Sequence, residues 1–206
     1  WDAPLDGQGL LKFPSFIEGG WYVGGPVSTT GKALDWWLES VLGCAPGDYS
    51  ALESAWAVPP GSERLIFLPY LSGERAPIWD TQARGMFFGL SLSHRREHLT
   101  RAILESVAYT LCHLMESFEA AGGQVLEIRA CGGQAKSETW CRLKADATGR
   151  RVVMPEITDA PVLGAAIIAG VGGGAFGSCA DGARQMARPR AAIEPDEATH
   201  ARYSAL

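Results

Sequence analysis

The chain has 206 residues, of which 47% are hydrophobic and 20% charged, with a formal net charge of -5. That length and apolar content can bury one sizeable core, which excludes a disordered segment. The basic residues are scattered over an acidic chain and leave no electrostatic footprint for nucleic acid or an anionic membrane. In chain order, residues 1 to 28 are rich in Gly, Pro and aromatics, and "FIEGGWYVGG" reads as strands and turns. From Thr30, "TGKALDWWLESVLG" places Leu34, Trp37, Leu38 and Val41 at helical spacing and stops on Gly43. "RLIFLPYL", Arg64 to Leu71, is a β-favouring run predicted to be a buried strand, closed by the "SGERAP" loop.

The longest predicted helix runs from about Arg95 to Ala121, with Ser93 as its expected N-cap and Leu99, Ala102, Ile103, Val107, Leu111, Leu114, Met115 and Phe118 in one stripe. "VLEIRAC" is predicted as a strand, "KSETWCRLKADAT" as a helix, "RVVMPEI" as a strand and "APVLGAAIIAGVGGG" as a helix. This β-α-β-α run predicts an α/β fold, a sheet covered by helices, with Cys131 ending a central strand and Gly132 opening the βα turn. No repeat or linker divides the chain, so residues 1 to 206 are read as one domain. Five cysteines without a Cys-x-x-Cys pair read as free thiols of a reducing compartment, so a cytoplasmic location is expected. No stretch reaches the roughly 18 apolar residues of a membrane span, and no secretory leader is visible. The first residue is Trp1, not Met, so a piece of a longer protein is expected.

Two features could carry chemistry. A strand feeding Gly132 and Gly133 and then a helix offers main-chain N–H groups to a phosphate, and glycine lets a ring or phosphate come close. A tight turn with no ligand explains the pair equally well. The pattern is neither GxGxxG nor GxxxxGK[ST]. "HRREH", His94 to His98, has the H-x-x-E-H spacing of one zinc-peptidase class. It sits at the polar opening of a helix and lacks a third ligand, so solvated side chains are the preferred reading.

Five segments, in order, resemble the C-terminal half of carbohydrate kinases of the FGGY family: "TGKALDWWLES", "FLPYLSGERAPIWDTQARG", "GMFFGLSLSHRREHLTRAILES", "GGQAKSETWCRLKADATGRRV" and "PVLGAAIIAGVGGG". In the third, Gly85, Phe87, Gly89, Leu90, His98, Leu99, Ala102, Ile103, Leu104 and Glu105 satisfy the family's second signature. The resemblance implies a ribonuclease H-like, actin-like ATPase domain with a mixed sheet flanked by helices. It implies a nucleotide site in which Gly133 lies at the adenosine end, Gly132 shapes the turn and Ser137 faces the nucleotide. Gly31 would stand near the phosphates and Asp35 near the purine. Gln134 occupies a position where many relatives carry a third glycine.

By the same resemblance, ATP with Mg²⁺ and a small sugar or polyol, a pentulose such as xylulose foremost, are the expected ligands. The proton acceptor and sugar contacts would belong to an N-terminal lobe not seen here. Neither nucleic acid nor membrane is an expected partner, whereas a homodimer is. A stand-alone nucleotide-binding module without catalysis is the alternative. Glu74, Arg75 and Asp80 are read as holding their loop through an ion pair and turn hydrogen bonds. Trp36, Trp37 and Trp140 are read as core residues, and His113 as a helix residue with one satisfied nitrogen.

Overall fold

A 25-residue helix, α3 (Arg96–Ala120), organises the chain in the computed structural model, which describes residues 9 to 15 and 20 to 206. Every residue from Thr100 to Ala108 is buried, so this part of α3 is enclosed on all sides. Its N-cap is Arg95 and not the expected Ser93. Ser93 is drawn into a turn of its own, with Oγ 2.8 Å from Ser91 Oγ, and the Ser91 N–H donates to His94 Nδ1 at 2.9 Å. The Arg95 N–H donates to His98 Nδ1 at 3.1 Å, so His98 caps the helix.

Ahead of α3, β1 (Leu11–Pro14) and β2 (Trp21–Gly24) form an antiparallel pair. The part of the predicted N-terminal strands at 1 to 8 and 16 to 19 lies outside the described residues. The predicted helix after Thr30 appears as α1 (Gly31–Asp35), which continues into a π-helical stretch at Trp36–Val41. Ala33, Leu34, Trp37 and Leu38 are its buried face. Trp36, expected in the core, is 37% exposed because it points away from that face. Trp37 donates from Nε1 to Thr100 Oγ1 at 2.8 Å and thereby docks α1 on α3. After α2 (Leu52–Trp56), Gly61, Ser62, Glu63 and Arg64 all have positive φ and make a left-handed turn. Such a turn in non-glycine residues needs outside support. The Gly61 N–H donates to Glu105 Oε1 at 2.9 Å, and the Ser62 hydroxyl donates to the His98 carbonyl at 2.6 Å.

The predicted strand at Arg64 to Leu71 contracts to β3 (Ile66–Leu68), antiparallel to β4 (Met86–Phe88). Beyond α3, β5 (Ile128–Arg129), α4 (Glu138–Thr148), β6 (Val152–Pro155) and α5 (Ala160–Gly172) follow the predicted alternation. The strand before the glycine pair is much shorter than "VLEIRAC" suggested. It is the edge strand of a three-stranded sheet ordered β5-β6-β7, so Cys131 neither ends a central strand nor lies in one. The ladder passes as far as Ala130, whose N–H donates to Val153 O, and then the chain turns away.

The sheet is mixed: β5 runs parallel to β6, and β7 (Pro189–Ile193) runs antiparallel to it. The elements α6 (Cys179–Met186), β7 and α7 (Glu197–Ser204) had no counterpart in the sequence reading. α4 is buried on two sides. Trp140, Leu143 and Ala147 join the core around α3, whereas Cys141 and Ala145 pack on Val152, Met154 and Ile193 of the sheet. Among the described residues no helix is long and apolar enough to cross a membrane.

Candidate functional site

The turn between β5 and α4 is shaped first by Gly132, whose φ of 72° and ψ of -164° lie where only glycine is at ease. Its N–H donates to Thr158 O at 2.7 Å, which ties the turn to the segment after β6. Gly133 differs. Its φ is not positive, and a Cβ built on it would meet no atom within 4 Å. Nothing within the described chain therefore calls for glycine at 133, and the space beside it is open. From Gly133 the chain makes a single 3₁₀ turn to Lys136 and enters α4.

Ser137 is the N-cap of α4, its Oγ accepting from the Trp140 N–H at 3.2 Å. As acceptor its hydroxyl is committed to the helix; its hydrogen is still available to a neighbour. Gly31, far away in sequence, lies across from the turn: a Cβ there would come 3.2 Å from Gln134 Nε2. Asp35 is one helical turn beyond Gly31, half-buried, and its Oδ1 accepts from the Tyr49 hydroxyl at 3.2 Å. The carboxylate charge beside it is the main cause that pushes the Tyr49 phenol up. The fold thus gathers Gly31, Gly132, Gly133, Gln134 and Ser137 on two facing walls, with Asp35 further along the first.

One member of this site had no place in the sequence reading. Lys144, only 5% exposed, donates from Nζ to Gln134 Oε1 at 2.6 Å and lies 5.0 Å from the centroid of the Trp140 ring. Burial pushes its pKa below the ordinary lysine value. The signal was a lysine four residues after Trp140, between Cys141, Leu143 and Ala145 on the buried side of α4. Trp140 itself is held by donation from Nε1 to Leu104 O at 3.1 Å, as a core residue would be.

The other singled-out residues have structural employment. Glu74 is 3% exposed, and its Oε1 accepts from the N–H groups of Ser28 and Arg75, both at 2.7 Å. Arg75 donates to Val27 O, and the main chains of Glu74 and Asp80 pair reciprocally. The loop is held by hydrogen bonds to main chain; the expected ion pair is not among its contacts. Through these bonds, and through Thr29 Oγ1 at 3.1 Å from Ser72 Oγ, it steadies the segment that leads into Gly31. His113 is exposed and has no side-chain hydrogen bond among the described residues, unlike the expectation. In "HRREH", both Nδ1 atoms accept main-chain N–H groups. His94 Nε2 then donates to Glu63 O at 3.3 Å, and His98 Nε2 stands 3.8 Å from Glu63 Oε1. These histidines brace the left-handed turn instead of converging on a metal. Among the described residues no group of three His, Cys, Asp or Glu side chains could hold a metal ion.

Residues 8–173 match the FGGY family of carbohydrate kinases, C-terminal domain, and the chain belongs to that family. It is 38% identical over 179 residues to the gluconokinase of Bacillus subtilis strain 168, an alignment that takes in 81% of this chain and 35% of that protein. To the xylulose kinase of the same organism it is 35% identical over 187 residues, 90% of this chain and 37% of that one. The solved structure of ligand-bound xylulose kinase from Lactobacillus acidophilus superposes on 99% of the chain with a TM-score of 0.85 and 29% identity, covering 41% of that structure. The fold is thus the ribonuclease H-like, actin-like ATPase fold expected from the sequence. The chain spans just over a third of the length of the two curated relatives.

Proposed function

We propose that the chain is the nucleotide-side lobe of an ATP-dependent sugar kinase, which passes the γ-phosphate of ATP to a hydroxyl of a small sugar or polyol. The observation that carries this reading is the pair of facing walls, Gly31 on one and Gly132–Gly133 on the other, with open space where a Gly133 Cβ would stand. Gly133 would take the adenosine end and Ser137 would donate its hydroxyl hydrogen, while Gly31 faces the phosphates and Asp35 the purine. The cradle fits a nucleotide at Gly133, where main chain borders open space, while beside Gly31 the Gln134 carboxamide reaches into the gap. Mg²⁺ would enter with the phosphates and neutralise charge there, held by the nucleotide and by groups beyond this chain's own carboxylates.

The acceptor sugar is the finer part of the proposal. The two Bacillus relatives are named for gluconate and xylulose, and a pentulose such as xylulose remains the favoured substrate. Proton removal from the sugar hydroxyl and most sugar contacts are assigned to an N-terminal lobe outside this chain. Without them the chain lacks the general base, which contributes typically 10²–10⁴-fold. It also lacks the orientation of the second substrate, which can supply ~7–11 kcal/mol of the barrier. The test couples ADP release to a panel of ketoses, aldonates and polyols, on the 206-residue chain and on a longer chain that adds the N-terminal lobe. The expected result is sugar-dependent turnover by the longer chain alone. Turnover by the short chain would overturn the division of labour, and an inactive longer chain that still binds ADP would favour the stand-alone binding module.

A further inference from the structure

Lys144 is a buried cation without an anion. It is 5% exposed, and no carboxylate pairs with it among the described residues. A buried ammonium group is costly unless its donors are used; among the described residues its polar surroundings are the face of Trp140, Gln134 Oε1 and the nearby thiols of Cys141 and Cys131, and Gln134 Oε1 is the one side-chain acceptor it bonds. The ammonium has hydrogens to give and no lone pair, so the atom of Gln134 that it meets is the oxygen. The orientation of the carboxamide follows. Its NH₂ is turned the other way, and Nε2 lies 3.2 Å from the position of a Cβ on Gly31, in the gap between the two walls. Ala135, directly after Gln134, is wholly buried, which anchors the main chain from which this side chain projects.

We propose that Lys144 is a positioning residue for nucleotide binding: it locks the Gln134 carboxamide so that its NH₂ donates across the gap to a phosphate oxygen of the bound nucleotide. This rests on the nucleotide site assigned above. The ammonium draws electron density toward Oε1, so the NH₂ on the far side becomes a stronger donor than that of a free amide. The relay runs from Leu104 O through the Trp140 ring and Lys144 to Gln134, each link held by a contact in the core. It ends beside Gly31, the residue expected nearest the phosphates. A glutamine here thus replaces main-chain approach by a side-chain donor, and a donor so placed favours phosphate over a bare nucleoside. Lys144 touches no ligand itself and acts through Gln134.

The test is a double-mutant cycle in ligand affinity, read by calorimetry with ADP and with adenosine on the wild type, Lys144→Met, Gln134→Gly and the double variant. Loss of one polarised hydrogen bond weakens ADP roughly tenfold. The expected result is such a loss in each single variant, no further loss in the double variant, and adenosine affinity unchanged throughout. A separate structural role for Lys144 would instead make the two losses multiply, and this would overturn the proposal. Equal weakening of ADP and adenosine, or ADP affinity unchanged in Gln134→Gly, would overturn it as well. Should Lys144→Met not fold, Gln134→Gly with the two ligands decides alone. Failure of the wild type to bind ADP is a different result, because it removes the nucleotide site itself together with the proposal.

Discussion

Glu105 is the residue whose loss the fold should feel most. Its side chain is fully buried, and Oε1 alone accepts from the Gly61 N–H at 2.9 Å, Arg101 Nε at 2.8 Å and the Tyr203 hydroxyl at 2.9 Å. Arg101, 7% exposed, has no other carboxylate partner among the described residues, and its terminal nitrogen donates to Tyr203 at 2.8 Å. Replacing Glu105 by Ala leaves a buried guanidinium uncompensated, a change that costs about 3–5 kcal/mol. For a chain of this size about 2–4 °C of Tm follows each kcal/mol, so the midpoint should fall by roughly 6–20 °C.

The same carboxylate holds the left-handed turn, so the Gly61 amide should exchange with solvent faster in the variant than in the wild type. Breaking the cluster and replacing it are different perturbations. An apolar triple variant, Glu105→Leu with Arg101→Met and Tyr203→Phe, removes the uncompensated charge and should recover part of the loss, the remainder reflecting the Gly61 N–H and the Tyr109 hydroxyl left without their acceptor. Thermal unfolding followed by circular dichroism, with hydrogen exchange on Gly61, checks all three outcomes. A loss below about 1 kcal/mol in Glu105→Ala would place the site in the range of exposed ion pairs, and the reasoning from burial would be refuted.

Gly133→Val should abolish ADP binding while leaving Tm nearly unchanged, because a Cβ at 133 meets nothing within 4 Å; calorimetry on both proteins tests this, and equal affinity would reduce the turn to a mere connection. Burial is the main cause that raises the Tyr203 phenol well above its ordinary value of 10.0. The folded state therefore keeps this proton when the unfolded chain has released it, so its contribution to stability is full below pH 10 and is lost as pH rises beyond. The loss is about 1.4 kcal/mol per pH unit above 10. Urea titrations of wild type and Tyr203→Phe should show a flatter alkaline slope in the variant, and parallel slopes would contradict the assignment. Iodoacetamide at pH 8 should label exposed Cys131 first. Cys141, which is fully buried, and half-buried Cys112, whose thiol burial pushes up to about 11, should react last, an order peptide mass spectrometry would reveal or refute.

What the sequence disclosed followed from how local each signal is. α3 was legible almost to its ends because its apolar stripe recurs over seven turns, and only its cap was misplaced, since a Ser91–His94 turn competed for Ser93. β5 was overextended because an apolar run says nothing about partners, and among the described residues this strand has a neighbour on one side only. The elements after Gly174 escaped because α6 and α7 are only eight residues long and bury a single residue each, Gly182 and Tyr203, too little to mark either as core. In the candidate site, the turn at Gly132 could be foreseen from residue type, whereas the Lys144–Gln134 contact could not. It joins residues ten apart through a 3₁₀ turn whose geometry no periodicity specifies.

Gly133 is the instructive opposite, because its reason is missing from the chain altogether. Backbone conformation does not require glycine there, and internal packing does not either. Gly25 and Gly182, by contrast, have side-chain atoms within 3 Å of where a Cβ would stand, so core packing explains them. Gly24, Gly164 and Gly172 are equally unconstrained, so what singles out Gly133 for the proposed nucleotide approach is its place in the turn that faces Gly31. The argument is physical and local, and it makes the Gly133→Val titration a test of the site itself instead of a test of folding.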